Sequence, residues 1–147
     1  IDNLSVAIRQ SKAEITVDIN DAPIAWGDPI RLTRLFQNLL GNAIKFQQPD
    51  AIPIVTVSFA DGTHLQRHGK HIVMIQDNGI GIDPDHKDLL FNLFQRLNTR
   101  DEYEGSGIGL SVCKKIAEQN GGEIWVDSIP KKGSTFYVSL NKTENSF

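Results

Sequence analysis

Asp77-Asn78-Gly79-Ile80-Gly81-Ile82 follows directly on the apolar run Ile72-Val73-Met74-Ile75. The run reads as a buried strand. A carboxylate at a strand's exit, followed by two glycines, suits a buried polar acceptor beside backbone that a ligand must approach closely. The ligand that fits this description is a nucleotide base. The same hexapeptide is also good Asx-turn chemistry. On these six residues alone both readings stand, and the rest of the chain has to separate them.

At 147 residues the chain is one domain's worth, long enough for a real core. A hydrophobic share of 39% and a charged share of 22% are those of an ordinary globular protein. The net charge of −3 provides no general attraction to nucleic acid or to an anionic membrane. The single cysteine, Cys113, excludes an internal disulfide, fits a reducing compartment, and reads as a core residue rather than a catalytic thiol. No apolar run reaches membrane-spanning length and no signal peptide opens the chain. A cytoplasmic location and no membrane insertion by this domain are expected. The start at Ile1, without an initiator methionine and within a helical pattern, suggests a piece of something longer.

Outward from the hexapeptide, the pattern is regular. Leu4, Ala7 and Ile8 predict an amphipathic helix over about 3–12. Ile15, Val17 and Ile19 alternate as a half-buried strand, and a short Ile24-Ala25-Trp26 segment follows the turn at Asp21-Ala22-Pro23. Asp28-Pro29 predicts a capped helix start. The helix it opens carries Ile30, Leu32, Leu35, Phe36, Leu39, Leu40, Ala43 and Ile44 on a broad apolar face. Val55, Val57 and Phe59 make a second strand, joined by a polar hairpin loop (61–70) to the strand before Asp77. Pro84 opens a helix with Leu89, Leu90, Leu93 and Phe94 on one face. A polar lid-like stretch (98–106) precedes another helix, which ends at Asn120-Gly121-Gly122. Two alternating strands close the chain around Pro130-Lys131-Lys132-Gly133, and a polar tail from Asn141 is expected to fray. The fold class expected is a two-layer α/β sandwich, its sheet mixed but mostly antiparallel, with helices on one face. Residues 1–140 form the expected domain and 141–147 the tail.

Three features carry possible chemistry. Asn38, Asn42 and Lys45 fall at i, i+4 and i+7 on one side of the Pro29 helix, amid apolar neighbours. Carboxamide oxygens are hard ligands suited to magnesium, and a lysine one turn on can meet phosphate, although a solvated stripe explains the same spacing. Gly105-Ser106-Gly107-Ile108-Gly109-Leu110 leads into a helix whose amides and dipole favour phosphate, or serves as hinge and cap. It is not a dinucleotide fingerprint, and no Walker loop occurs anywhere. Arg96 and Arg100 open the polar loop and could reach a terminal phosphate. The histidines at 64, 68, 71 and 86 include no metal-spaced pair in a supporting context, so a structural zinc site is not expected.

In this order the elements resemble the ATP-binding catalytic domain of sensor histidine kinases. Asn38-Leu39-Leu40-Gly41-Asn42-Ala43-Ile44-Lys45-Phe46 is similar to the asparagine box, and Asp77 to Ile82 to the first glycine box. Phe91-Asn92-Leu93-Phe94 resembles the phenylalanine box, Gly105 to Leu110 the second glycine box, and Gly133-Ser134-Thr135-Phe136 the last glycine–threonine element. The wording from Phe94 to Tyr103 is especially like the lid of phytochrome-type kinases. The resemblance implies the Bergerat fold shared with gyrase, MutL and heat-shock chaperone ATPases, with ATP and Mg2+ as cofactors. It implies that Asp77 accepts the adenine amine, that Gly79 and Gly81 let the base approach, and that Thr135 sits near the same edge. Phe46 and Ile82 would contact base or ribose, and Phe94 would belong to the ATP-binding set. Asn42 would hold magnesium, supported by Asn38, with Lys45 on a phosphate and Arg96 and Arg100 on the γ-phosphate side. Gly105, Ser106, Gly107, Ile108, Gly109 and Leu110 would close over the phosphates as the lid and its hinges. Asn38, Asn42, Lys45 and Arg96 are the expected catalytic set.

Gyrase-type ATPases place a water-activating glutamate where this chain has Asn38, and a carboxamide cannot usefully take up a proton. Phosphoryl transfer to another nucleophile is therefore favoured over hydrolysis. None of the four histidines has the surroundings of a phosphoacceptor. The acceptor is expected on a dimerising helical hairpin outside this chain, in a homodimeric parent that passes phosphate to a response regulator. The alternatives are a conformational ATPase of the gyrase or chaperone type, and a nucleotide-dead interaction module.

Overall fold

The computed structural model describes residues 9, 12–17, 24–47, 50–82 and 109–142. In chain order these give β1 (Glu14–Val17), α1 (Pro29–Lys45), β2 (Ile54–Asp61) and a 3-10 turn (Gly62–Leu65). Then come β3 (Lys70–Asp77), α2 (Gly109–Gln119), β4 (Ile124–Ile129) and β5 (Gly133–Asn141). The sheet order is β1-β2-β3-β5-β4. Among the described strands β1–β2 is parallel, and β2–β3, β3–β5 and β5–β4 are antiparallel. The mixed, mostly antiparallel sheet is as the sequence predicts.

Alternation in the strands gives the sheet two different faces. Val55, Val57, Val73, Ile75, Phe136 and Val138 are buried on the inner face. They meet Leu35, Leu39, Ala43 and Ile44 of α1 and Cys113, Ile116 and Ala117 of α2 in one hydrophobic core. Both helices therefore lie on one side of the sheet, in the two-layer arrangement expected.

The predicted start of α1 holds. Asp28 Oδ1 accepts from the amides of Ile30 and Arg31, and Pro29 occupies the first turn, where its missing N–H costs nothing. Ile30 departs from expectation: it is 82% exposed and takes no part in the core that α1 makes with the sheet. Helix α2 ends as predicted, with the Gly122 amide donating to Ala117 O at 2.9 Å and Gly121 at φ +76°. Ile24-Ala25-Trp26 makes a single bridge from Trp26 to Asn141 rather than a strand.

The end of β5 differs more. Asn141, read from sequence as the beginning of a fraying tail, is fully buried. Its side chain donates to Asn120 O at 3.0 Å and accepts from the Lys70 ammonium, which also donates to Gly121 O at 2.6 Å. Asn120 in turn donates to Ile116 O and accepts from the Asp28 amide at 2.7 Å. A polar chain thus joins the end of the sheet, the end of α2 and the cap of α1. Among the described residues, no helix is long and apolar enough to cross a membrane.

Candidate functional site

Several cross-links among the described residues set the two helices side by side. The Asp28 amide reaches Asn120, Arg31 donates to Gln119 Oε1 at 2.5 Å, and Cys113 Sγ rests 3.7 Å from Leu35 O. Residue numbers rise on α1 as they fall on α2, so the helices are antiparallel. The start of α2, at Gly109 and Leu110, is carried toward Asn42. A helix N-terminus, with its unpaired amides and favourable dipole, accordingly lies toward the end of α1 that bears Asn42 and the exposed Lys45.

Helix α1 ends at Phe46, whose amide caps onto Asn42 O at 3.0 Å. Phe46 O then accepts from the Ile80 amide at 3.1 Å, which ties the asparagine helix directly to the glycine hexapeptide. The contact is close enough that a Cβ at Gly79 would lie 2.3 Å from Phe46 O. Gly81 has φ +74°, and a Cβ there would meet Ile129 O at 2.3 Å. These two glycines are required by the protein's own backbone, a reason that spacing alone did not disclose.

Asp77 stands at the exit of β3, half-buried on the inner face. Its Oδ1 accepts from the Gly79 amide at 2.8 Å and the Ser134 amide at 3.2 Å. Both bonds end on the same oxygen, and Oδ2 has no partner among the described residues. Burial pushes the carboxyl up to about 6, against the opposing pull of the Gly79 and Ser134 amides. Asn78 points elsewhere, accepting from the Ile54 amide and donating to Ile52 O, so it locks the approach to β2. Ile82 is buried, and its amide donates to Ser128 Oγ at 2.7 Å.

The glycine–threonine element needs a correction of parity. Thr135 pairs with Gln76 of β3 and Asp127 of β4 on the outer face, away from the Asp77 carboxylate. Ser134, buried and on the inner face, is the residue brought to Asp77. The signal that could have found it is the two-residue period counted back from the core residue Phe136.

Asn38 is half-buried between the helices, where its side chain hydrogen-bonds the Cys113 thiol. Burial pushes that thiol up to about 11, with the Asn38 bond and the Arg34 charge opposing. Cys113 is therefore inert and a core residue, as expected. Phe91, Phe94, Arg96, Arg100, Gly105, Ser106, Gly107 and Ile108 lie outside the described residues, as do the helix expected from Pro84, the lid, and the predicted first helix apart from residues 9 and 12.

Backbone and side-chain hydrogen bonds thus link Asn42 and Phe46 to Ile80, and Gly79 to Asp77, with Lys45 and the start of α2 toward the same end of α1. The residues present fit a nucleotide. One oxygen of the Asp77 carboxylate has no partner among the described residues, and Asn42, Lys45 and the start of α2 lie toward the C-terminal end of α1.

Comparison with known proteins agrees. Residues 27–144 match the family model described as histidine kinase-, DNA gyrase B-, and HSP90-like ATPase. The phytochrome-like protein Cph1 of a Synechocystis species is 44% identical over 94% of this chain, which spans 17% of that protein's length. The adaptive-response sensory kinase SasA of Synechococcus elongatus is 34% identical over 90% of the chain, which spans 33% of its length. Among solved structures, the catalytic domain of histidine kinase ThkA superimposes with a TM-score of 0.75 at 25% identity, covering 99% of this chain and 89% of that one. Full-length ShkA in complex with AMPPNP superimposes with a TM-score of 0.72 at 25% identity, covering 95% of this chain and 27% of that one. The family match covers most of the chain and the sheet agrees with it: this chain is a member of the histidine kinase-, DNA gyrase B- and HSP90-like ATPase family.

Proposed function

We propose that this domain binds ATP with magnesium and donates the γ-phosphoryl group to a histidine on a helical hairpin of its full-length protein, for relay to a response regulator. The observation that carries the reading is Asp77, a half-buried carboxylate with one oxygen held by two backbone amides and the other without a partner among the described residues. Oδ2 would accept the adenine amine, and Ile82 would floor the base. Asn42 would hold the magnesium, which when bound would neutralise phosphate charge. Lys45 and the start of α2 would hold phosphate oxygens. Asn38 offers no proton acceptor for water, and this favours transfer over hydrolysis. The names of the relatives, sensory and histidine kinases, support the same reading. The parent would be a homodimer that carries this domain in the cytoplasm.

Two measurements test it. Calorimetry with a non-hydrolysable ATP analogue and magnesium should give heat with the wild type and none with Asp77→Asn. Mixed with a separately expressed histidine-bearing hairpin of the parent protein, the domain should label that histidine from ATP and release little free phosphate. Rapid phosphate release with no labelled hairpin would favour the gyrase-type clamp.

A further inference from the structure

Ser128 lies on β4 opposite Ser134 of β5, whose amide reaches Asp77 of β3 on β5's other side. Its hydroxyl has three neighbours. The Ile82 amide donates to it at 2.7 Å, Gly133 O lies 3.0 Å away, and Ser134 Oγ lies 2.9 Å away. A serine hydroxyl has one proton and two acceptor positions. The Ile82 amide can only donate and occupies one acceptor position. Gly133 O can only accept and takes the single Ser128 proton. The Ser128–Ser134 bond must then run the other way, with Ser134 as donor. The Ser134 proton is thereby committed to Ser128, and the rest of the Ser134 oxygen is an acceptor.

We propose that Ser128 is a positioning residue that sets the base preference of the pocket by fixing the direction of the Ser134 hydroxyl. The inference rests on the nucleotide reading of the site. With its proton withdrawn, Ser134 Oγ joins Asp77 Oδ2 as a second acceptor at the edge where adenine presents an amine and guanine a carbonyl. Without Ser128 the Ser134 hydroxyl is free to turn and donate to that carbonyl, which relaxes the preference. Through Ile82 the same hydroxyl also steadies the floor beneath the base.

The test is the ratio of ADP to GDP affinity, measured by calorimetry in the presence of magnesium for the wild type and three variants. Ser128→Ala should weaken ADP and narrow the ratio about five- to tenfold, the worth of one net hydrogen bond. Ser128→Thr, which keeps the hydroxyl, should retain the wild-type ratio. Ser134→Ala should narrow the ratio by a similar factor with Ile82 still tethered, and it serves if Ser128→Ala does not fold. A purely structural Ser128 would weaken both nucleotides equally. An unchanged ratio in folded Ser128→Ala, or in Ser134→Ala, overturns the proposal while leaving the site intact. A wild type that binds neither nucleotide overturns the site itself, and this inference with it.

Discussion

The Asp77 carboxylate faces opposite demands from folding and from recognition. Buried ionised, it destabilises the empty domain; ionised, it is the form that accepts an amine. Its ordinary value of 3.8 rises to about 6 on folding. The folded state therefore binds the proton more tightly than the unfolded state does. The associated stability is complete below pH 3.8 and is lost as the pH rises through 6. Asp77→Asn keeps an acceptor for the Gly79 and Ser134 amides and removes the charge. It should raise urea-unfolding stability by about 2 kcal/mol at pH 7.5, after allowance for partial exposure, and by nothing near pH 3.5. A variant no more stable than wild type at pH 7.5 would refute this account of the carboxylate. Recognition should show the converse trend: adenosine, which has no phosphates to titrate, should bind about fourfold more weakly at pH 5.5 than at 7.5, following the ionised fraction. Calorimetry at the two pH values checks it.

At the scale of elements, the site depends on junctions between the ends of helices and strands. The β4–β5 turn places Gly133 at φ +128°, where a Cβ would lie 2.0 Å from Asp77 O. Gly133→Ala should cost more than about 3 kcal/mol, read by denaturant unfolding, because the conformation and the contact both forbid a side chain. The polar chain at the far end makes a second case. Asn141→Leu would leave the buried Asn120 carbonyl without its side-chain donor and Lys70 without one of its two acceptors. A loss of about 2–4 kcal/mol is expected, with m unchanged. These junctions also mark where sequence reasoning stopped. Asp28-Pro29 and Asn120-Gly121-Gly122 were legible because caps are local chemistry. Asn141 was not, because its partners lie 21 and 71 residues away. Thr135 comes from the family resemblance, whereas the alternation of Phe136, Val138 and Leu140 already puts Ser134 on the inner face. Nor can alternation in β1 reveal that it runs parallel to β2, since both directions give the same pattern.

For the molecule as a whole, the nucleotide would span both layers: base over the inner face of the sheet, phosphates toward the antiparallel helix pair. A ligand held by both layers stabilises the entire domain, by about 2.7 kcal/mol at one hundred times Kd. For a chain of this size that corresponds to a rise in Tm of about 5–10 °C with ADP and magnesium. Asp77→Asn should abolish the shift although it begins from a higher Tm. A shift preserved in that variant would place the nucleotide elsewhere. The glycines that frame the pocket have a further consequence for descent. Gly79, Gly81 and Gly133 are held by clashes with Phe46, Ile129 and Asp77 main-chain oxygens, so purifying selection for foldability alone retains them. A paralogue drifting after loss of its chemistry would keep the glycine signature and shed Asp77, whose removal stabilises it. In such a lineage the glycines record ancestry, and only the carboxylate records a living enzyme.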